Sequence, residues 1–152
     1  MTQYEDTPFV SLRLGPAWIL PSRKKGWVSR RVPANPNRKM HWVVRHKWTV
    51  AWKTVVQGVF LENKKKFGKL PLENPKLEIV LSGIQTMDRD NAYAACKAII
   101  DTFKIPKKIN DIGLGVIVDD SEEDIELVVR QTKVAHIADE GVTINFYRKT
   151  NV

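Results

Sequence analysis

The sequence predicts an α+β domain in which a small mixed or antiparallel sheet packs with two main helices. Apolar residues Val44, Trp48, Ala51-Trp52, Val55-Val56 and Val59-Phe60 recur at steps of three and four, which marks one long helix. Short alternating or apolar runs occur before and after it, and strand and helix patterns do not alternate strictly.

In chain order, residues 9–14 alternate Phe9, Ser11 and Arg13 with Val10, Leu12 and Leu14 and read as a strand that Gly15-Pro16 ends. A basic arm occupies about residues 15–40, and its Pro- and Asn-rich part, residues 21–37, reads as a long loop. The helix follows over about residues 41–60, with Lys64-Lys65-Lys66 at its end, where cations suit the helix dipole. Residues 77–81 read as a buried strand and residues 91–104 as a helix with an Ala, Ile and Phe face. Residues 116–118, 126–135 and 142–147 supply three further strand candidates, and no internal repeat is present.

The chain of 152 residues is long enough for one domain with a real core and short for two, so residues 1–152 are expected to form a single unit. No apolar run approaches the roughly 18 to 20 residues of a membrane span, and the polar, acidic start does not resemble an export signal. The single cysteine, Cys96, cannot form an internal disulfide, and with three scattered histidines it makes a poor basis for structural zinc. These features predict a cytoplasmic protein with no membrane partner.

Charge is unevenly distributed. Residues 1–70 hold 15 Lys/Arg against 3 Asp/Glu, whereas residues 71–152 hold 10 against 14. A positive field draws polyanions and releases their counterions, so nucleic acid is the economical partner. An acidic membrane surface is the rival, but the basic residues sit among Pro, Asn and Trp without an amphipathic period. The candidate DNA-backbone contacts are Arg23, Lys24, Lys25, Arg30, Arg31, Arg38, Lys39, Arg45, Lys47, Lys64, Lys65 and Lys66. Trp27, set among these cations, is a candidate for stacking on an exposed base, whereas Trp48 and Trp52 follow the core stripe. His41 and His46 do not share a helix face and suit structural or backbone-contact roles better than metal ligation.

The acidic half carries the candidate chemistry. If the strand of residues 77–81 continues extended, Asp88 and Asp90 point the same way and face one cation. Either residue could instead cap the helix that follows. On that helix Asp90, Lys97 and Asp101 fall within roughly 20° of one line, which brings the Lys97 ammonium toward a phosphate held at the carboxylates. The plainer reading is an i,i+4 pair between Lys97 and Asp101. Asp119-Asp120 follows an apolar run, and one of the two can face Asp88 and Asp90 from an extended backbone. Three oxygen ligands from separate elements fit Mg²⁺ or Mn²⁺; a solvated acidic turn is the alternative. The run from Asp119 lacks the glycine and glutamate of a calcium loop, and neither a Walker lysine motif nor a Gly-x-Ser-x-Gly elbow occurs.

Asp88-Arg89-Asp90-Asn91, Lys97 and Asp101, and Gly115-Val116-Ile117-Val118-Asp119-Asp120-Ser121 together resemble the RusA family of Holliday junction resolvases of phages and prophages. Asn35-Pro36-Asn37-Arg38-Lys39-Met40-His41-Trp42 is similar to a segment ahead of the first long helix in RusA-like phage proteins. The resemblance covers about residues 35–135 and implies a RusA-like dimer that nicks four-way DNA junctions with Mg²⁺. It implies that Asp88, Asp90 and Asp120 hold metal, that Asp119 assists, and that Lys97 is the essential lysine. The chain departs from the family's best-known branch at that lysine: Ala94 stands three residues after Asn91, and Lys97 six.

The expected function is therefore paired nicking of Holliday junctions or related branched DNA by a homodimeric, Mg²⁺-dependent endodeoxyribonuclease, with Mn²⁺ able to substitute. A branched-DNA-binding protein without catalysis is the alternative from another class, and an RNA nuclease with the same acids is a third.

Overall fold

Alternation of apolar and polar residues on three strands gives the sheet one apolar face, and that face decides where the helices lie. The computed structural model describes residues 3–20, 26–108 and 113–150. Its elements are β1 (Val10–Leu14), β2 (Ala17–Ile19), β3 (Val28–Arg30), α1 (Trp42–Phe67), β4 (Lys76–Gly83), α2 (Arg89–Ala95), α3 (Lys97–Phe103), β5 (Glu126–Lys133) and β6 (Gly141–Tyr147). A single 3₁₀ turn, Ile137–Asp139, links the last two strands.

The main sheet has the order β1-β6-β4-β5. β6 is antiparallel to both β1 and β4, while β5 runs parallel to β4. A parallel neighbour needs a crossover, which the α2–α3 segment supplies. Val10, Leu12 and Leu14, Leu77, Ile79 and Leu81, and Val142, Ile144 and Phe146 are all buried. The intervening residues face the other way and form a polar chain across the sheet. Ser11 Oγ donates to Asn145 Oδ1 at 2.6 Å, Asn145 Nδ2 to Glu78 Oε1 at 3.0 Å, and Arg130 Nε to Glu78 Oε2 at 2.7 Å.

α1 covers the apolar face because Trp48, Trp52, Val56 and Phe60 recur every four residues and are buried. It runs about two turns beyond the expected end, since Phe67, seven residues after Phe60, returns to the same face and is also buried. The helix stops at Gly68, whose φ of 72° favours glycine. At the other end His41 Nδ1 accepts a hydrogen bond from the Val43 N–H at 3.3 Å, a structural use of that histidine.

The mixed α+β architecture agrees with the expected class, but three elements differ, the first being the expected single helix over 91–104, which is two seven-residue helices, α2 and α3, broken at Cys96. The basic arm is not wholly loop: β2 and β3 pair antiparallel, Ala17 with Arg30, Trp18 with Ser29 and Ile19 with Val28. Residues 116–118 form no strand; Ile117 makes one isolated bridge to Lys104. A Cβ at Gly113 would collide with the Lys104 carbonyl, so glycine is what lets this segment lie against the end of α3. Val116 and Ile117 N–H groups then both donate to the Phe103 carbonyl, at 2.9 and 3.0 Å. Among the described residues no helix is long and apolar enough to cross a membrane.

Candidate metal and nucleic-acid site

The first acidic pair lies just beyond the carboxyl end of β4. The backbone is not extended through it, as the sequence pattern suggested, because the helix begins at Arg89 and places Asp90 in its first turn. Asp88 occupies the N-cap position with φ −56° and ψ 150°, yet its side chain makes no capping hydrogen bond. Asp88 and Asp90 are both exposed. The segment is held from outside: Gln131 Oε1 accepts from the Met87 N–H at 2.8 Å, and Gln131 Nε2 donates to the Met87 carbonyl at 2.7 Å. Next to Asp90, Asn91 Oδ1 accepts from Asn37 Nδ2 at 3.0 Å, which joins the Asn-Pro-Asn segment to the acidic helix across 54 residues of sequence.

The second acidic pair lies elsewhere. The α2–α3 rod breaks at Cys96, whose N–H is shared between the Ala92 and Tyr93 carbonyls at 3.2 Å each. Beyond the break Lys97 is exposed and pairs with Asp101 at 3.9 Å, the plain i,i+4 contact. Lys104 Nζ stands 3.0 Å from Asp101, 3.4 Å from Asp119 and 3.1 Å from Asp120. Lys107 Nζ adds a 2.7 Å contact to Asp119.

Asp120 therefore does not join Asp88 and Asp90. Asp90 lies in the first turn of α2 and Asp101 in the last turn of α3, on opposite sides of the break at Cys96. The sheet gives the same separation independently. Met87 is tied to Gln131 late in β5, whereas Asp120 precedes the start of that strand at Glu126, which pairs with Lys76. Five residues of strand span about 16 Å. Among the described residues no three His, Cys, Asp or Glu side chains are grouped so as to hold a metal ion. The expected three-aspartate site is thus replaced by an exposed pair, Asp88 and Asp90, and a lysine-centred cluster of Asp101, Asp119 and Asp120. With Asp88 at the N-cap and Asp90 in the first helical turn, the extended backbone that would have aimed both carboxylates at one point is absent.

Between the two acidic sites runs a basic groove bounded by α1, residues 33–38 and the α2–α3 rod. Two recesses of about 270 and 250 Å³ are both lined by Lys53, Lys97 and Asp101. Arg38 and Arg45 line the first, Lys104 and Lys107 the second. The sequence reading had not singled out Lys53, Lys104 or Lys107; Lys104 carried a detectable signal in its i,i+3 spacing from Asp101.

The other basic candidates divide. Arg45 Nη2 donates to the Pro36 and Arg38 carbonyls at 3.3 Å and so shapes the Asn-Pro-Asn turn. Arg31 Nη1 donates to the Ala138 carbonyl at 3.0 Å. Arg30 folds over the Trp48 ring at 5.3 Å, and burial, followed by the nearby Arg38 charge, lowers its pKa. It braces the ribbon against α1 rather than offering a free cation. Arg38, Lys39, Lys47 and Lys64, Lys65 and Lys66 are exposed, as is His46. Arg23, Lys24 and Lys25 lie outside the described residues. Trp48 and Trp52 are buried and Trp27 is exposed, as their patterns suggested. Cys96 is a packing residue whose thiol burial pushes up to about 12.

The lysine-centred cluster has its own consequences. Burial works against the Lys104 charge, but hydrogen bonds and charges from Asp101 and Asp120 outweigh it and raise the pKa. The Lys107 hydrogen bond, then the Asp120 N–H, holds Asp119 well below the usual carboxylate range. Lys104→Gln leaves three carboxylates without their shared cation and is expected to cost about 2 kcal/mol, read from urea unfolding. Asp119's depressed value makes its contribution present at neutral pH and lost as pH falls through the acid range. Lys104's raised value makes its contribution complete below the ordinary 10.5 and lost only at higher pH. The deficit of the variant should thus be flat from neutral pH to about pH 9 and shrink as pH rises past the ordinary lysine value, since the acid loss at Asp119 is set first by Lys107, which the variant keeps. A deficit confined to pH near 7 would contradict this account.

No family model, curated protein or solved structure matches this chain.

Proposed function

We propose that the chain is a divalent-cation-dependent endodeoxyribonuclease that nicks branched DNA, four-way junctions foremost. The observation that carries this reading is the Asn37–Asn91 hydrogen bond. It joins two of the segments that resemble junction resolvases, Asn35-Pro36-Asn37 and Asp88-Arg89-Asp90-Asn91, and so supports a site where the acidic helix meets the basic half. The position suits a site, because ligands of sheets with parallel strands gather beyond the carboxyl ends of those strands.

In this reading Asp88 and Asp90 hold Mg²⁺, with Mn²⁺ as substitute. When bound, the ion would polarise the scissile phosphate and lower the pKa of an attacking water. Arg38, Lys39, Lys53 and Lys97 neutralise backbone phosphates along the groove, contacts that set position more than sequence. A homodimer in the cytoplasm belongs to the same proposal, since two symmetric sites match opposed strands of a two-fold junction.

One observation favours a second reading. Asp119 and Asp120 are engaged by Lys104 and Lys107 instead of completing the cation site, which suits a branched-DNA-binding protein without catalysis. Strand-labelled four-way junctions and matched linear duplexes, incubated with Mg²⁺, Mn²⁺ or EDTA, separate the two. Paired nicks in opposite junction strands, absent with EDTA, are expected. Tight junction binding without cleavage in either metal would establish the binding protein.

A further inference from the structure

The ribbon of β2 and β3 gathers two tryptophans and a leucine on one uncovered face. Its register pairs Trp18 with Ser29 and Ile19 with Val28, and the same register carried one step further sets Leu20 opposite Trp27 beyond the ends of the strands. Alternation turns Ala17 and Ile19 inward, where both are buried, and turns Trp18, Leu20, Ser29 and Trp27 outward. Trp18 is 54% exposed, Leu20 42% and Trp27 65%. Apolar residues scattered singly on a surface are ordinary; two indoles in adjacent register positions on one face are not.

Charge selects the occupant of that face. Residues 7–61 contain no Asp or Glu and eleven Lys/Arg. Lys47 Nζ lies 3.5 Å from the Leu20 carbonyl, which places a cation against the ribbon's edge. An aromatic face on a segment rich in cations matches a polyanion that exposes flat apolar groups. Unpaired nucleic-acid strands have that chemistry, whereas a duplex keeps its base faces stacked.

We propose that the outer face of the β2–β3 ribbon is a stacking platform for unpaired DNA bases, with Trp18 and Trp27 as its rings. This deepens the nuclease reading and rests on its choice of nucleic acid as partner. The platform would let the protein distinguish the open centre or unpaired ends of a branched substrate from continuous duplex, a task that phosphate contacts alone cannot perform.

The test compares wild type, Trp18→Ala/Trp27→Ala and Trp18→Phe/Trp27→Phe at one salt concentration. Each is titrated with a thymidine oligonucleotide, a linear duplex of equal length and a four-way junction, and binding is followed by tryptophan fluorescence and anisotropy. The oligonucleotide should quench wild-type fluorescence. The alanine pair should lose about tenfold in affinity for it per ring, while duplex affinity stays within about twofold and the phenylalanine pair restores most of the loss. Equal oligonucleotide affinity in wild type and the alanine pair overturns the proposal. So does an equal loss on duplex, or a wild-type dimer that the alanine pair dissociates with no loss on single strands, which would make the face an interface between copies. The two proposals fail separately: junction cleavage without oligonucleotide binding sinks the platform alone, whereas tryptophan-dependent binding without metal-dependent cleavage sinks the nuclease alone.

Discussion

Asp90→Asn should reduce metal-dependent junction cleavage by more than about a hundredfold while leaving junction binding intact or tighter. The size follows from what the residue does in the proposed site. Loss of an outer-sphere partner of a bound metal costs about 10- to 100-fold, and loss of one of only two carboxylate ligands should exceed it. The direction of the binding effect follows from charge. Asparagine removes a negative group that otherwise faces phosphate, and binding in EDTA reports that change without the metal. Asp88→Asn should act in parallel. Because the Asp88 side chain makes no capping hydrogen bond, its replacement should not bring the cost of about 1 kcal/mol that loss of an N-cap carries. Thermal melts of both variants check this. Unchanged cleavage would remove the acids from the reaction, and joint loss of folding and binding would return them to a structural role.

Much of the fold was legible because its signals are local. The four-residue recurrence of Trp48, Trp52, Val56 and Phe60 gave α1, and the alternation of Val10, Leu12 and Leu14 gave β1. β4 and β6 were likewise visible as apolar runs. The missed hairpin shows where local signals end. β2 and β3 are three residues each, too short for a periodic pattern, and the Pro, Asn and basic residues between and after them read as loop. Residues 116–118 mislead in the opposite sense. Val116 and Ile117 are buried against the end of α3 while Val118 is exposed, and periodicity cannot tell that short burial from a strand.

The candidate site divides in the same way. Asp88 and Asp90 were legible as neighbours because they lie two apart in sequence at the start of a helix. That Asp120 would reach them was an assumption about topology. In a parallel pair such as β4 and β5, the residues leaving one strand and those entering the next lie at opposite ends, so the two acidic segments bracket the crossover instead of meeting. Lys104 then takes the place a cation would have among Asp101, Asp119 and Asp120, a choice that only tertiary structure reveals.

Phe146→Ala is expected to destabilise the protein by about 4 kcal/mol, a large share of the roughly 5 to 15 kcal/mol by which domains of this size are stable. Phe146 is fully buried on β6. Its ring meets Phe67 at 5.0 Å and Phe103 at 5.4 Å, both edge-to-face at 83°. It thus joins the last turn of α1, the centre of the sheet and the last residue of α3. Alanine forfeits the transfer free energy of the ring, leaves a cavity that three fixed elements cannot close, and removes two aromatic pairs worth about 0.5 to 1.5 kcal/mol each. Phe146→Leu keeps most of the volume and should cost much less, about 1.5 kcal/mol. Urea unfolding should show a lower midpoint with an unchanged slope in both variants. The loss should also reach the acidic cluster, because the Phe103 carbonyl accepts the Val116 and Ile117 N–H groups and Lys104 follows it directly. Combined with Lys104→Gln, Phe146→Leu should therefore give a deficit that differs from the sum of the two. Strict additivity would show that the aromatic core and the Lys104 cluster are independent.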